Sequence, residues 1–466
     1  MFPNRTAAPR RRVTLAEGTS TGASTGHPGG YLASLKSFSR NARLYLVGSF
    51  ISNIVQGSFG ALLNLYALQL GYGKDFVGIL VSVQMFATGF GSLPASFICD
   101  RIGRKKSLIL AALVVGLGTL GMAWSTASWA LILFKAIYGF AFAFLSVTIA
   151  PFLMENSTPK ERAHLFGVNF ASHTFAMMIG NFGSGLIADA LIEPYGALLS
   201  YRITLTIFAV GVTAATLCYA FIKEQKIAGG PSGKEAIIKG LSEAISLKEA
   251  RQLIVYNLLI GFGAGMVVPF FNVFLSQKLN ATAREVGLVL AVSQIITGLA
   301  SLAAPILVSK MGKIKSVVTS QLCSIPFLLM IALPPNVSVV SISFFMRNAL
   351  MNMVNPITSN LSMEIVPEKL RSVISSFTRM ANDGARSISA IVAGFLMEHV
   401  SLEAPYFVTS VVYLAASFCY YTFFIRYDRE EREGKEAGQP VVAGTSPKLF
   451  GFLTVRNRRR EDPWQT

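Results

Sequence analysis

Charge is scarce in this chain: Asp, Glu, Lys and Arg together supply 14% of its 466 residues. A soluble domain uses about a quarter of its composition as charge to cover its surface. With 52% apolar residues and a mean hydropathy of +0.52, most of this surface must face lipid. Soluble enzyme, nucleic-acid binder and secreted disulfide scaffold are excluded together. Cysteine is equally sparse. Cys99, Cys218, Cys323 and Cys419 each stand alone in an apolar stretch, which excludes a disulfide framework or a thiolate metal site. They read as small buried hydrophobes. No HExxH, nucleophile elbow or Cys/His cluster occurs, so no metal and no other cofactor is expected. Gly229–Lys234 is too short for a phosphate-binding loop, and Glu235 stands where Ser or Thr belongs.

The charge that is present lies on one side. A net charge of +17 would suit nucleic acid, but its distribution follows a membrane instead. Of the 41 Lys and Arg, 33 fall in one set of loops and tails, 4 in the opposite loops and 4 inside apolar runs. That is the positive-inside bias, and it puts the basic side in the cytoplasm. No nucleic-acid partner is expected, whereas attraction to membrane lipid headgroups is. A helix needs about 20 apolar residues to cross a bilayer. Six such runs lie at about 44–69, 76–99, 107–124, 129–154, 163–189 and 201–222. Six more lie at about 252–275, 286–309, 316–333, 339–364, 372–398 and 404–425.

An even count puts both termini in the cytoplasm. Residues 1–40 carry Arg10, Arg11 and Arg12 with no apolar core in signal-peptide reach, and read as a disordered cytoplasmic arm. The expected organisation is a six-helix bundle over 41–222, a cytoplasmic linker over 223–250, a second six-helix bundle over 251–425, and a cytoplasmic tail over 426–466. Asn280-Ala-Thr282 and Asn336-Val-Ser338 are glycosylation sequons in loops of the other side.

The two halves repeat each other. Val77–Ser107 aligns without gaps on Val286–Ser316 at a constant offset of 209, matching Gly78 with Gly287, Gly89 with Gly298, Gly103 with Gly312 and Lys106 with Lys315. At the same offset Glu155 meets Glu364, Lys160 meets Lys369, Arg162 meets Arg371 and Asp189 meets Glu398. Because the repeat contains an even number of spans, both copies share one orientation about an axis along the membrane normal.

The loop between the second and third spans reads Asp100-Arg101-Ile-Gly103-Arg104-Lys105, with Ser96 four residues before the acid. Gly103 permits a tight turn, and Asp100 ends its helix within reach of those cations. Two readings stay open: an ion pair that makes and breaks as a gate, or basic loop residues that hold topology while Asp100 neutralises them. This loop, its echo around Lys310, Gly312 and Lys313, and the 6+6 plan resemble the major facilitator superfamily. The resemblance covers about 44–425. It implies an all-α membrane protein of twelve transmembrane helices in two pseudo-symmetric six-helix bundles. It also implies alternating access to a central cavity, with Asp100, Arg101, Gly103, Arg104 and Lys105 as a gating loop.

Ionisable residues inside spans are costly, by a few kcal/mol at a helix centre. Arg379, Asp383 and Arg386 lie on one stripe of the eleventh span and can pair with each other. Asp383 is the only carboxylate near the middle of any span. It reads either as half of a helix-docking pair or as a titratable group facing the cavity. Lys135 and Arg347 lie in the outer halves of the fourth and tenth spans, where either could snorkel outward or face the cavity. Lys135, Tyr138 and Gly139 stand where the family's fourth-helix motif has Arg, Gln and Gly. Asn53, Gln56 and Asn64 share a face of the first span, and Asn348, Asn352 and Asn355 a face of the tenth. Lipid would leave these amides unsatisfied, so both faces are expected to look inward. His173 near the middle of the fifth span reads as a proton carrier or an interhelical donor.

These residues predict a secondary active transporter that moves a small organic solute by alternating access, coupled to protons through Asp383. Four mid-span cations against one acid favour an organic anion or acidic amphiphile. A multidrug efflux antiporter and an uncoupled facilitator are the alternatives, with a membrane-embedded enzyme or receptor more remote. A monomer in the cell membrane is expected, with small-molecule solute, proton and lipid as its partners.

Overall fold

The computed structural model describes residues 38–223, 246–333, 336–367 and 370–436. The expected N-terminal arm, most of the linker and most of the tail lie outside them. The described residues from Ser39 on form one compact unit, and Phe38 belongs to a separate one.

In the larger unit, α1 (Arg40–Gln69), α2 (Lys74–Ile102), α3 (Arg104–Trp124) and α4 (Ser128–Glu155) are the first four passes. α5 (Pro159–Ala220) is 62 residues long, roughly three times what one bilayer crossing needs. Its backbone leaves the helical region at Gly196, with φ of 75°, and there the fifth pass turns into the sixth. α6 (Lys248–Val267) and α7 (Phe271–Leu279) form the seventh pass, interrupted by a 3-10 turn, Val268–Phe270, that contains Pro269. α8 (Ala283–Met311) and α9 (Lys313–Ala332) follow. The tenth pass is α10 (Val337–Met353) and α11 (Asn355–Glu364), broken at Val354 ahead of Pro356. α12 (Arg371–His399) and α13 (Ala404–Glu436) complete the chain.

Among the described residues, ten helical stretches are long and apolar enough to cross a bilayer. The bent α5 counts twice and the charged α12 adds one, which makes the twelve expected passes. Two details differ from the sequence reading. The short connection expected at 190–200 is helical apart from its one glycine, and α13 runs ten residues past Arg426 before the described residues end.

Helices in lipid associate through close packing, because tails offer no hydrophobic drive between them. α1 packs along α5, and α12 packs against both α2 and α6. The two halves meet along two antiparallel seams, α2 with α12 and α5 with α8. A Cβ placed on Gly78 would lie 3.2 Å from the Cα of Gly394, and one on Gly287 would lie 3.2 Å from the Cα of Gly185. Gly78 and Gly287, like Gly185 and Gly394, are related by the 209-residue offset, so one contact is built twice.

The hydrogen bonds that join the halves gather at the end away from the termini. Glu398 accepts from the Lys74 backbone N–H at 2.9 Å and from its Nζ at 3.1 Å, capping α2 from the other half. Ser387 Oγ donates to the Ser82 carbonyl at 3.1 Å. Asn64 Nδ2 donates to the Pro269 carbonyl at 2.7 Å, a group freed by the break in the seventh pass. Asn272 Nδ2 donates back to the Ala61 carbonyl at 2.9 Å.

A β-branched residue at position 78 must spread the first seam, since its Cβ would lie 2.6 Å from the Ala390 carbonyl oxygen. Gly78→Val is therefore expected to raise, several-fold, the rate at which a cysteine introduced at Ser82 reacts with a water-soluble maleimide. An unchanged rate would show that the seam does not depend on this approach.

Candidate functional site

The basic loop is built from local backbone demands. Gly103 has φ of 90°, a value few side chains tolerate, and so has Gly312 at 84°. Ser107 Oγ donates to the Gly103 carbonyl at 2.8 Å and Ser316 Oγ to the Gly312 carbonyl at 2.6 Å, closing both turns alike. Arg104 reaches Asp100 at 2.8 Å and Glu155 of α4 at 3.4 Å. Its counterpart Lys313 pairs with Glu364 at 2.6 Å. Each half thus ties its own loop to its own fourth helix. Arg101 carries an exposed side chain, and Lys105 is half-buried. Near the far face, Glu403 pairs with Lys278. Partial burial works against the Glu403 charge, yet bonds from Lys278, its own amide and Ser401 hold its pKa below the usual carboxylate range.

The expected cation sites separate into two environments. Arg347 on α10 is 2% exposed and sits inside the second half. Its guanidinium donates to Asn348 Oδ1 at 2.8 Å and to the Tyr413 hydroxyl at 2.6 Å, and Asn348 in turn donates to Ser293 at 2.8 Å. Its Nε is buried and unbonded. Arg386 is its electrostatic neighbour, and the Nε of Arg386 is buried and unbonded as well. Lys135 on α4 is 7% exposed, and its Nζ lies 5.5 Å from the centre of the Tyr138 ring. Among the described residues Lys135, Arg347 and Arg386 form no ion pair. A buried cation without a counter-charge is a high-energy arrangement in a low-dielectric interior.

Asp383 lies at the α2–α12 seam. A Cβ on Gly89 would stand 3.0 Å from the Asp383 Cβ, and its carboxylate is in electrostatic reach of Arg386 and Arg379 without pairing with either. At the symmetry-related place, Gly298 faces Thr174, the residue 209 positions before Asp383, with 3.8 Å to its Cγ2. The acid therefore occupies one of two equivalent seam positions. Arg379 is exposed.

The amides divide too. Asn352 Nδ2 donates to the Asn348 carbonyl at 2.9 Å and Asn355 Nδ2 to Asn352 at 3.3 Å, a polar line along the tenth pass with Asn355 exposed. Asn53, Gln56 and His173 instead line a cavity of about 350 Å³ in the first half, on the side of the termini. Asn169, Ser146 and Tyr138 share that wall, together with the rings of Tyr45, Phe142, Phe170 and Tyr219. Asn169 did not stand out in the sequence, although it lies one helical turn before His173 and so on the same face.

Comparison with known proteins agrees with this architecture. The sequence profile of the Major Facilitator Superfamily matches residues 45–262 and again 253–464. The uncharacterized MFS-type transporter YceJ of Bacillus subtilis is 24% identical over 342 residues, 72% of this chain and 84% of its own length. The putative metabolite transport protein YwtG of the same organism is 32% identical over 123 residues, which span 26% of this chain and 27% of that relative. A mutant of the nucleoside transporter NupG superposes with a TM-score of 0.71 at 16% identity, covering 82% of this chain and 99% of NupG. At that identity the likeness is one of fold.

Because the Tyr413 hydroxyl is one of two hydrogen-bond partners of the Arg347 guanidinium, Tyr413→Phe is expected to cost roughly 1–3 kcal/mol. The readout is a lower thermal unfolding midpoint in detergent, with recovery in the Tyr413→Phe, Arg347→Met double variant. No drop would mean that the guanidinium finds another partner.

Proposed function

Because the chain belongs to the Major Facilitator Superfamily, it is a multi-pass membrane transporter of small molecules rather than an enzyme, and we propose that its solute is an organic anion or acidic amphiphile moved with a proton. The observation that carries this reading is the Arg347–Arg386 pair, two neighbouring guanidiniums inside the second half with no carboxylate paired to either. An acidic group brought by the solute would satisfy the open donors and offset charge that Asp383 answers only from a distance. Drug export of lipophilic cations would call instead for an acidic site.

Asp383 supplies the coupling. When the site is empty, its carboxylate is the nearest compensation for Arg386 and Arg379. A solute anion competes for the same guanidinium field. The displaced carboxylate then takes up a proton and sits as a neutral group against Gly89 at the seam. Release of the anion reverses both steps, so proton and anion travel together. The movement is a rocking of residues 41–222 against 251–425 about the two glycine seams. The hydrogen bonds gathered at the far end support an arrangement open toward the termini, with Arg104 of the basic loop paired inside its own half. In this reading one copy works alone in the cell membrane, with both termini in the cytoplasm.

Purified protein in liposomes, screened against labelled organic anions under an inward proton gradient, tests this. Arg347→Gln is expected to lose more than about tenfold of uptake, the loss of one charge-assisted bond or more. Asp383→Asn is expected to lose gradient-driven accumulation while still exchanging internal for external solute. Uptake that is indifferent to both substitutions would overturn the proposal.

A further inference from the structure

The cavity in the first half has a chemistry that the anion reading leaves unused. Its lining comes from α1, α3, α4 and α5, with no residue from the second half, so it lies inside one bundle and not between the two. Among its polar side chains, Gln56, Asn169 and His173 make no hydrogen bond to any described residue, and Gln56 Oε1 is shielded from solvent as well. A buried acceptor such as Gln56 Oε1 is nearly always satisfied, and the Asn169 and His173 side chains beside it are partly exposed. Three unpaired polar side chains around one space point to an occupant that pairs with them.

The repeat shows that the space is not a by-product of the fold. In the first half a Cβ on Gly57 would lie 2.6 Å from the Met177 carbonyl oxygen, and in the second half one on Gly265 would lie 2.6 Å from that of Arg386. With these two approaches aligned, Gly261 stands four residues earlier where α1 has Asn53. Asn382 stands where α5 has His173, at the 209-residue offset. There the second half is shut: a Cβ on Gly261 would lie 2.9 Å from the Asn382 Cα, and Asn382 donates to the Asn257 carbonyl at 3.2 Å. One half closes this place with glycine and a satisfied amide. The other holds it open with Asn53, which among the described residues bonds only to Ser49 of its own helix at 3.2 Å, and leaves Gln56, Asn169 and His173 unpaired.

The lining also sets the occupant's class. No carboxylate, Lys or Arg faces the cavity, so nothing there favours a charged group. The carboxamides of Gln56 and Asn169 each offer donors and an acceptor, which matches a partner presenting both. A third of the lining residues are Tyr or Phe, among them Phe170, which is 53% exposed and has a face to offer. Flat rings stack on such walls. The volume of about 350 Å³ lies within the range of small-molecule pockets. We propose that this cavity is a binding site for an uncharged planar heteroaromatic ring carrying hydrogen-bond donors and acceptors. The site goes beyond the anion reading and does not depend on it.

Nicotinamide is a suitable probe, with cyclohexanecarboxamide as the non-planar control, titrated calorimetrically against the full-length protein in lipid nanodiscs. Wild type is expected to bind nicotinamide saturably and the control more weakly. Gln56→Ala and Asn169→Ala should each raise Kd roughly three- to tenfold, the loss of one hydrogen bond. Neither side chain holds another part of the protein, so both variants should keep the wild-type unfolding midpoint, and Phe170→Leu gives a third test through stacking. Arg347→Gln should leave nicotinamide binding unchanged, so failure of the anion reading and failure of this one are distinguishable. A wild type that binds no nicotinamide, or a Kd equal across all three cavity variants, would overturn the proposal and leave a water-filled cavity.

Discussion

The architecture depends on how closely two pairs of helix backbones approach where the halves meet. Gly78 against Gly394 and Gly185 against Gly287 bring Cα atoms to a separation that a single methyl group would prevent. In lipid, where apolar surfaces gain little by finding each other, such approaches supply much of what holds helices together. They make a joint in which backbone meets backbone with no side chain between. Polar bonds then gather beside it, from Glu398 to the start of α2 and between Asn64 and the broken seventh pass. The same seam sets where Asp383 lies, because Gly89 leaves room for that carboxylate and the matching place opposite Gly298 holds Thr174.

Duplication explains what is shared, and departures from it mark where chemistry can occur. The loops keep their turn glycine, serine cap and basic-to-acidic tie in both halves. The interiors do not match. The second half holds two arginines, and the first holds Lys135 beside Tyr138 together with an amide- and ring-lined cavity. An even repeat would give two equal sites. This one gives two arginines on one side and, on the other, a lone lysine beside a cavity with no charged residue in its lining.

Much of this is legible in the sequence, for physical reasons. Apolar runs of bilayer length fix the passes, and glycine, acid and base recurring at one offset fix the repeat, because each such residue answers a backbone or topological demand. What is hidden depends on neighbours. Residues 190–200 carry no long apolar run and read as a loop, yet only Gly196 leaves the helix. Pro269 and Val354 break passes that look continuous in hydropathy. Arg347 and Gln56 both look like inward-facing polar residues, but one is enclosed by Tyr413 and Asn348 while the other is left unpaired in a cavity. No periodicity separates those outcomes, since the difference lies in what the facing helices present.

The most direct test of the rocking account is a distance distribution between spin labels at Ser96 on α2 and Ser375 on α12, both exposed on the side of the termini. The labels belong on a background lacking the four native cysteines, in nanodiscs, with the pH lowered stepwise. The account predicts two separations whose populations exchange as Asp383 takes up its proton, with the exchange lost in Asp383→Asn. A single separation that ignores both pH and that substitution would contradict it.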